Sequence, residues 1–166
     1  MTKIVFDSDG LIKLTKTECL QILLEHFTCS ITKEVYEETA IKGTERLYDD
    51  AFQIEELVKK GMLNVEKTKN NKQAQQILKS SGVGKGEAPS LHLFFNTNAR
   101  AIISDDRIFL NLLEQNNIPF IIPADLIIRL VELKLISKDE AMDALNKLKP
   151  YVSQKNYNNA KENLED

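Results

Sequence analysis

The sequence predicts an α/β fold of three layers, α/β/α, around a central, mostly parallel sheet of about five strands. Two observations carry this. Short β-rich runs recur along the 166 residues, separated by helical stretches about a dozen residues long, the alternation that builds parallel sheets covered on both faces. Breakers are sparse, with six Gly and four Pro, about half the usual share, so regular elements run with few interruptions. The length fits one domain of ordinary size. The expected organisation is an α/β domain over residues 1–150 followed by a helical tail over 151–166.

The elements follow in order. Lys3–Phe6 is a β-rich run that stops at Asp7, a first buried strand. Thr15 to Glu18 has the spacing of a capping box, and Leu20, Leu23, Leu24 and Phe27 recur at helical intervals behind it. Residues 29–31 form a second strand, after which Thr32 caps a helix carrying Val35, Thr39 and Ile41 on one side, interrupted at Gly43. A helical stretch over 45–60 ends at Gly61, a C′ position, and 62–65 is a third strand. From Glu87 a helix carries Leu91, Phe94 and Phe95, and the strand 101–104 closes on Asp105 and Asp106. A helix with Ile108, Leu112 and Leu113 leads to a strand over 118–122, with Pro119 near its start and Pro123 as its stop. Leu126, Ile127, Leu130 and Leu133 mark the next helix. Ser137 and Glu140 form a second capping box before Ala141, Leu145 and Leu148. The tail repeats Tyr157, Ala160 and Leu164 at helical spacing and is expected to dock on the body or on a partner.

Composition narrows the function classes. With 42% hydrophobic and 28% charged residues the chain is globular, neither disordered nor fibrous. No stretch reaches the roughly 18 apolar residues of a membrane span, and the N-terminus meets Asp7 before a signal-peptide core forms, so a cytoplasmic location is expected. Cys19 and Cys29 lack metal-ligand spacing and read as reduced core thiols; His26 and His92 read as partly buried core histidines. The net charge of −3 argues against broad attraction to nucleic acid and leaves only local strips to consider. One strip exists: residues 67–86 hold Lys67, Lys69, Lys72, Lys79 and Lys85 with no acid. Its end, 82–86, lacks the spacing and the Ser or Thr of a phosphate-binding P-loop.

In an open α/β sheet the functional crevice lies beyond the carboxyl ends of the strands, where the strand order reverses. Asp7 and the pair Asp105 and Asp106 end strands, while Glu34, Glu37, Glu38 and Glu87 stand at helix starts. Each of these acids has an ordinary alternative role as a cap or a dipole partner. Together they point elsewhere. Carboxylates that converge without matching cations repel unless a hard ion sits between them, and oxygen-only donors select Mg²⁺ or Mn²⁺.

Phe6-Asp7-Ser8 with Leu11 and Ile12, the stretch from Ile31 to Glu38, Gly86-Glu87-Ala88 opening a helix, and Ile102 to Asp106 resemble, in that order and spacing, the PIN-domain nucleases. More narrowly, the chain looks like the group in which a Gly-Glu-Ala segment supplies the third acid and two helices follow the last strand. The resemblance spans almost the whole chain. It implies that Asp7, Glu38, Glu87 and Asp106 are the catalytic acids, with Asp7, Glu87, Asp106 and the alternate Asp105 holding Mg²⁺ or Mn²⁺ and Ser8 as a supporting hydroxyl. It further implies hydrolysis of single-stranded RNA, and a small antitoxin protein as partner, as in the toxin of a toxin-antitoxin pair; a homodimer stays open, as does a catalytically silent binding module. Lys13, Lys16, Lys69, Lys72, Lys79 and Lys85 are expected to flank the RNA groove. Asp9 and Gly10 stand where the family more often has a small residue and proline, and Pro89 and His92 interrupt a segment usually rich in Ala and acids.

A rival reading starts from Phe6-Asp7-Ser8-Asp9-Gly10, which resembles the opening motif of haloacid-dehalogenase-type phosphatases. There Asp7 is a covalent nucleophile, Asp9 an acid/base and Lys85 the phosphate-neutralising lysine. It leaves Glu38 and Glu87 without roles.

Overall fold

The structure, a computed structural model, describes residues 1–45, 48–79, 81 and 88–166. Five strands, β1 (Lys3–Phe6), β2 (Thr28–Thr32), β3 (Leu63–Glu66), β4 (Ala101–Ile103) and β5 (Phe120–Ile121), form one sheet in the order β3-β2-β1-β4-β5. Every ladder is parallel. The helices are α1 (Ser8–Thr15), α2 (Leu20–His26), α3 (Lys33–Tyr36), α4 (Lys42–Glu45), α5 (Asp49–Lys59), α6 (Lys72–Lys79), α7 (Ala88–Thr97), α8 (Arg107–Gln115), α9 (Pro123–Glu132), α10 (Lys138–Leu148) and α11 (Gln154–Glu165). The expected three-layer α/β/α architecture is the one observed.

Strand alternation sorts the layers. Ile4 and Phe6, Cys29 and Ile31, and Ala101 and Ile103 enter the larger core with apolar residues of α1, α2, α5, α9, α10 and α11. Val5 and Ile102 point the other way, onto Leu93 and Leu91 of α7 and Phe109 of α8. Tyr157, Ala160 and Leu164 are buried in the larger core, so α11 docks on the body against α9 and α10. Among the described residues no helix is long and apolar enough to cross a membrane.

Several local expectations are corrected. A helix, α1, starts directly after β1, and Thr15 with Glu18 forms no capping box: α2 starts at Leu20 with Cys19 as its N-cap and no side-chain cap bond, and the Thr15 hydroxyl donates to Ile12 O. Of the helical stretch expected over 45–60, Glu45 ends α4, residues 46 and 47 lie outside the described residues, and Asp49–Lys59 is α5. It ends as expected, Gly61 (φ 74°) closing it with Gly61 N–H on Val58 O and Met62 N–H on Leu57 O. Ile41 and Ile108 lie exposed, with Ala40 and Phe109 taking the inward places. His26 is exposed as well. Cys19 and Cys29 are free and buried, and burial pushes the Cys29 thiol up to about 12.

His92 is buried and structural, as expected. The Asn71 N–H donates to its Nδ1 at 2.9 Å, the Asn71 side chain caps α6 through Ala74 N–H, and it reaches Asn96 at 3.0 Å. An Nδ1 that accepts must be unprotonated, and burial holds the His92 pKa below the ordinary histidine value. As pH falls below about 6.5 the unfolded chain takes up this proton first, so the contribution is complete above that pH and is lost on acidification. Urea unfolding should show wild type losing more stability between about pH 7.5 and 5 than His92→Gln. Equal losses would assign the acid sensitivity to other groups.

Candidate active site

The strand order runs outward from β1 in both directions, so the topological switch lies between β1 and β4. Phe6 and Ile103 are in register there, and the next residue of each strand enters the crevice. Asp7, 2% exposed, is bound on three sides. Its N–H donates to Ile103 O at 3.2 Å, its Oδ1 accepts the Gly10 N–H at 2.7 Å and caps α1, and its Oδ2 accepts the Ser104 hydroxyl. The Ser104 oxygen in turn accepts the Asp106 N–H at 3.2 Å, and Asp106 Oδ1 caps α8 through the Phe109 N–H at 2.9 Å. One buried hydroxyl thus ties the two strand-end acids together. Capping and site-building are compatible here, because the helix starts are what hold the carboxylates.

Gly10 makes this approach possible. A Cβ at this position would meet the Ile103 carbonyl carbon at 2.8 Å and Asp7 Oδ1 at 3.1 Å, so α1 can start against the end of β4 only with no side chain there.

Lys13 lies one turn further along α1, its Nζ 2.8 Å from Asp105 and 3.2 Å from Asp9. Burial lowers the Lys13 pKa, but the bonds to Asp105 and Asp9 outweigh it, so the value sits above that of an ordinary lysine. Asp105 is pushed up by burial against the pull of Lys13, with Asp9 adding repulsion. Asp125 on α9 is pushed up too, first by loss of water around its carboxyl and then by the charge of Asp105. Lys16 pairs with Asp50 and sits 4.9 Å from the ring centre of Tyr151.

Glu38 arrives from the other side of β1. Thr32 caps α3 through the Val35 N–H, and α3 passes through a π turn over Glu37–Ile41 before resuming as α4. The Lys42 N–H bonds Glu37 O, and the Thr39 hydroxyl donates to Val35 O at 2.8 Å. Single π turns re-aim side chains and cluster at functional sites. Glu38 Oε2 accepts the Ser8 hydroxyl at 2.8 Å, which links it to the residue after Asp7. Glu34 instead accepts from Thr68, and Glu37 lies near Lys33, so of the three glutamates the structure brings only Glu38 to Ser8.

Lys72 and Lys79 are exposed on α6; Lys69 lies before it, its carbonyl accepting from Asn96. Lys69 and Lys72 therefore sit by the end of α7 that leads into the start of β4, whereas Asp106 follows the end of that strand. Glu87, Lys85 and the 82–86 segment lie outside the described residues. Ser104 and Asp125 were not singled out by sequence reasoning. The signal for Ser104 was available: a buried carboxylate at the end of β1 needs donors, and a hydroxyl preceding two acids at the end of a neighbouring strand is a natural one.

A family model described as a PIN domain matches residues 3–166. No curated protein matches the chain.

Proposed function

This chain belongs to the PIN-domain family, whose members are generally nucleases, and on that premise we propose that it hydrolyses phosphodiester bonds in single-stranded RNA with Mg²⁺ or Mn²⁺. The observation that carries the reading is the Ser104 hydroxyl joining Asp7 to Asp106 at the β1–β4 switch, where α/β folds bind ligands.

The donor chemistry fits a hard divalent ion, since Asp7, Glu38, Asp105 and Asp106 offer only carboxylate oxygens. Among the described residues no three such side chains stand close enough to enclose an ion, and Glu87, assigned by the resemblance as a further acid, lies outside them. Asp7, Asp106 and Glu87, with Asp105 as alternate, are the residues that would hold it. A bound ion lowers the pKa of water and offsets charge on the scissile phosphate.

The chain's own part begins with rigidity. Gly10 N–H and the Ser104 hydroxyl fix both Asp7 oxygens, and Phe109 N–H fixes Asp106, so neither carboxylate needs reorganising when a phosphate arrives. Glu38, steadied by Ser8, is positioned as the group that takes a proton from the attacking water. Lys13 holds Asp105 and keeps a positive charge beside the acids. Parallel assays on two substrates test this against the phosphatase reading: wild type should cut single-stranded RNA with Mn²⁺ and not with EDTA, and should leave p-nitrophenyl phosphate intact. Metal-independent cutting, or phosphatase activity lost in Asp9→Asn, would overturn the proposal.

A further inference from the structure

Two cavities border the acid cluster, and their charges differ. The larger, about 630 Å³, reaches Glu38 and, among the described residues, is lined by Glu38, Asp49 and Asp50 against the cation Lys16. The second, about 530 Å³, reaches Asp105 and is lined by Lys13, Arg107 and Lys155 against Asp105 and Glu114. Arg107 and Lys155 are exposed and have no ion pair among the described residues, whereas Lys13 is already held by Asp105 and Asp9. Two cations lining one cavity of an acidic protein, outside the ion pairs of the described residues, mark where a polyanion is tolerated.

The same cavity contains an aromatic surface. Tyr151, in the 3₁₀ turn Lys149–Tyr151 before α11, is 47% exposed. Its ring is oriented in advance by Lys16, itself fixed by Asp50. An exposed ring held in place in a cavity lined by cations is the combination that binds single strands, bases stacking on the aromatic face while the backbone follows the charges. The volume lies within the range of about 300–1,000 Å³ usual for small-ligand sites.

We propose that this cavity between α1, α8 and the start of α11 is a nucleotide subsite, taking the nucleotide next to the scissile phosphate with its phosphate on Arg107 and Lys155 and its base on Tyr151. The assignment rests on the nuclease reading for the position of the scissile phosphate. The strand therefore leaves the acid cluster past α8 and the C-terminal turn, on the opposite side from Glu38 and away from Lys69 and Lys72.

Binding of a fluorescein-labelled oligouridylate of about twelve nucleotides, read by anisotropy in Mg²⁺ on the Asp7→Asn background, tests this, with gels of the same samples reporting any cleavage. Adding Arg107→Gln/Lys155→Gln should weaken binding about tenfold and reduce the slope of log affinity against log salt by about 0.7, one single-strand phosphate contact. Tyr151→Leu should weaken it about tenfold with the slope unchanged. The pair Lys59→Gln/Lys138→Gln removes the same net charge elsewhere and should bind like the parent. Equal affinity in all variants, an equal loss in the control pair, or a parent that binds no strand overturns the subsite. The nuclease reading fails separately: wild type that cuts no RNA with Mn²⁺ removes it, while the Arg107, Lys155 and Tyr151 dependence still establishes the subsite.

Discussion

Asp7→Asn should lower Mn²⁺-dependent RNA cleavage by at least about 10³-fold, the factor that corresponds to roughly 4 kcal/mol of lost transition-state stabilisation. The substitution keeps shape and removes charge. Asn caps helices as well as Asp does, so its oxygen retains the Gly10 N–H, and the Ser104 hydroxyl can rotate to accept from the new amide. The apo protein should therefore stay folded with unchanged far-ultraviolet circular dichroism. Asp7→Ala provides the contrast: it deletes the cap and strands the Ser104 hydroxyl and the Gly10 N–H, at about 1–3 kcal/mol. A folded Asp7→Asn protein that cuts RNA at the wild-type rate would show that the buried acid is a cap and nothing more.

Gly10→Ala should destabilise the protein by about 2–3 kcal/mol, lowering Tm by roughly 4–12 °C in a domain of this size, and should reduce cleavage with it. The sign is the informative part. In an exposed helix the same change stabilises by about 0.8–1 kcal/mol, because Ala loses less backbone entropy. Here the added methyl group meets the Ile103 carbonyl, a backbone atom that cannot swing aside as a side chain can. Relief requires α1 to lift from β4, which moves Asp7 away from Ser104 and breaks the link between the two strand-end acids. Thermal melts decide it, and an Ala variant as stable as wild type would mean that α1 has room to spare.

Much of the architecture is written in local chemistry. Strands show as short apolar runs, and the stops and starts are carried by single residues whose preference is intrinsic: Thr32 and Ser137 as caps, Gly61 at positive φ, Pro123 at the first turn of α9. The acids Asp7, Asp105 and Asp106 were legible for a related reason. In a parallel sheet the end of a strand is the rim of the crevice, so chain position already implies spatial position. The helix α1 was not legible from the same local rules, because its start carries Gly10, a weak helix former whose presence is explained only by the carbonyl of a strand 93 residues further along the chain.

The tertiary structure alone decided which charged groups meet. Glu34, Glu37 and Glu38 look alike in sequence, and a π turn with a Ser8 hydroxyl selects the last. The lysine-rich segment is the conspicuous cationic feature of the chain, yet Lys69 and Lys72 lie by the end of α7 that precedes β4, while Lys13, Arg107 and Lys155, scattered over the whole length, line one cavity beside Asp105. The physical reason is range. Caps, turns and strand ends are set by interactions within a few residues and are therefore readable in order along the chain, whereas the pairing of Lys13 with Asp105 or of Asp7 with Ser104 spans more than ninety positions and exists only once β1 and β4 lie side by side.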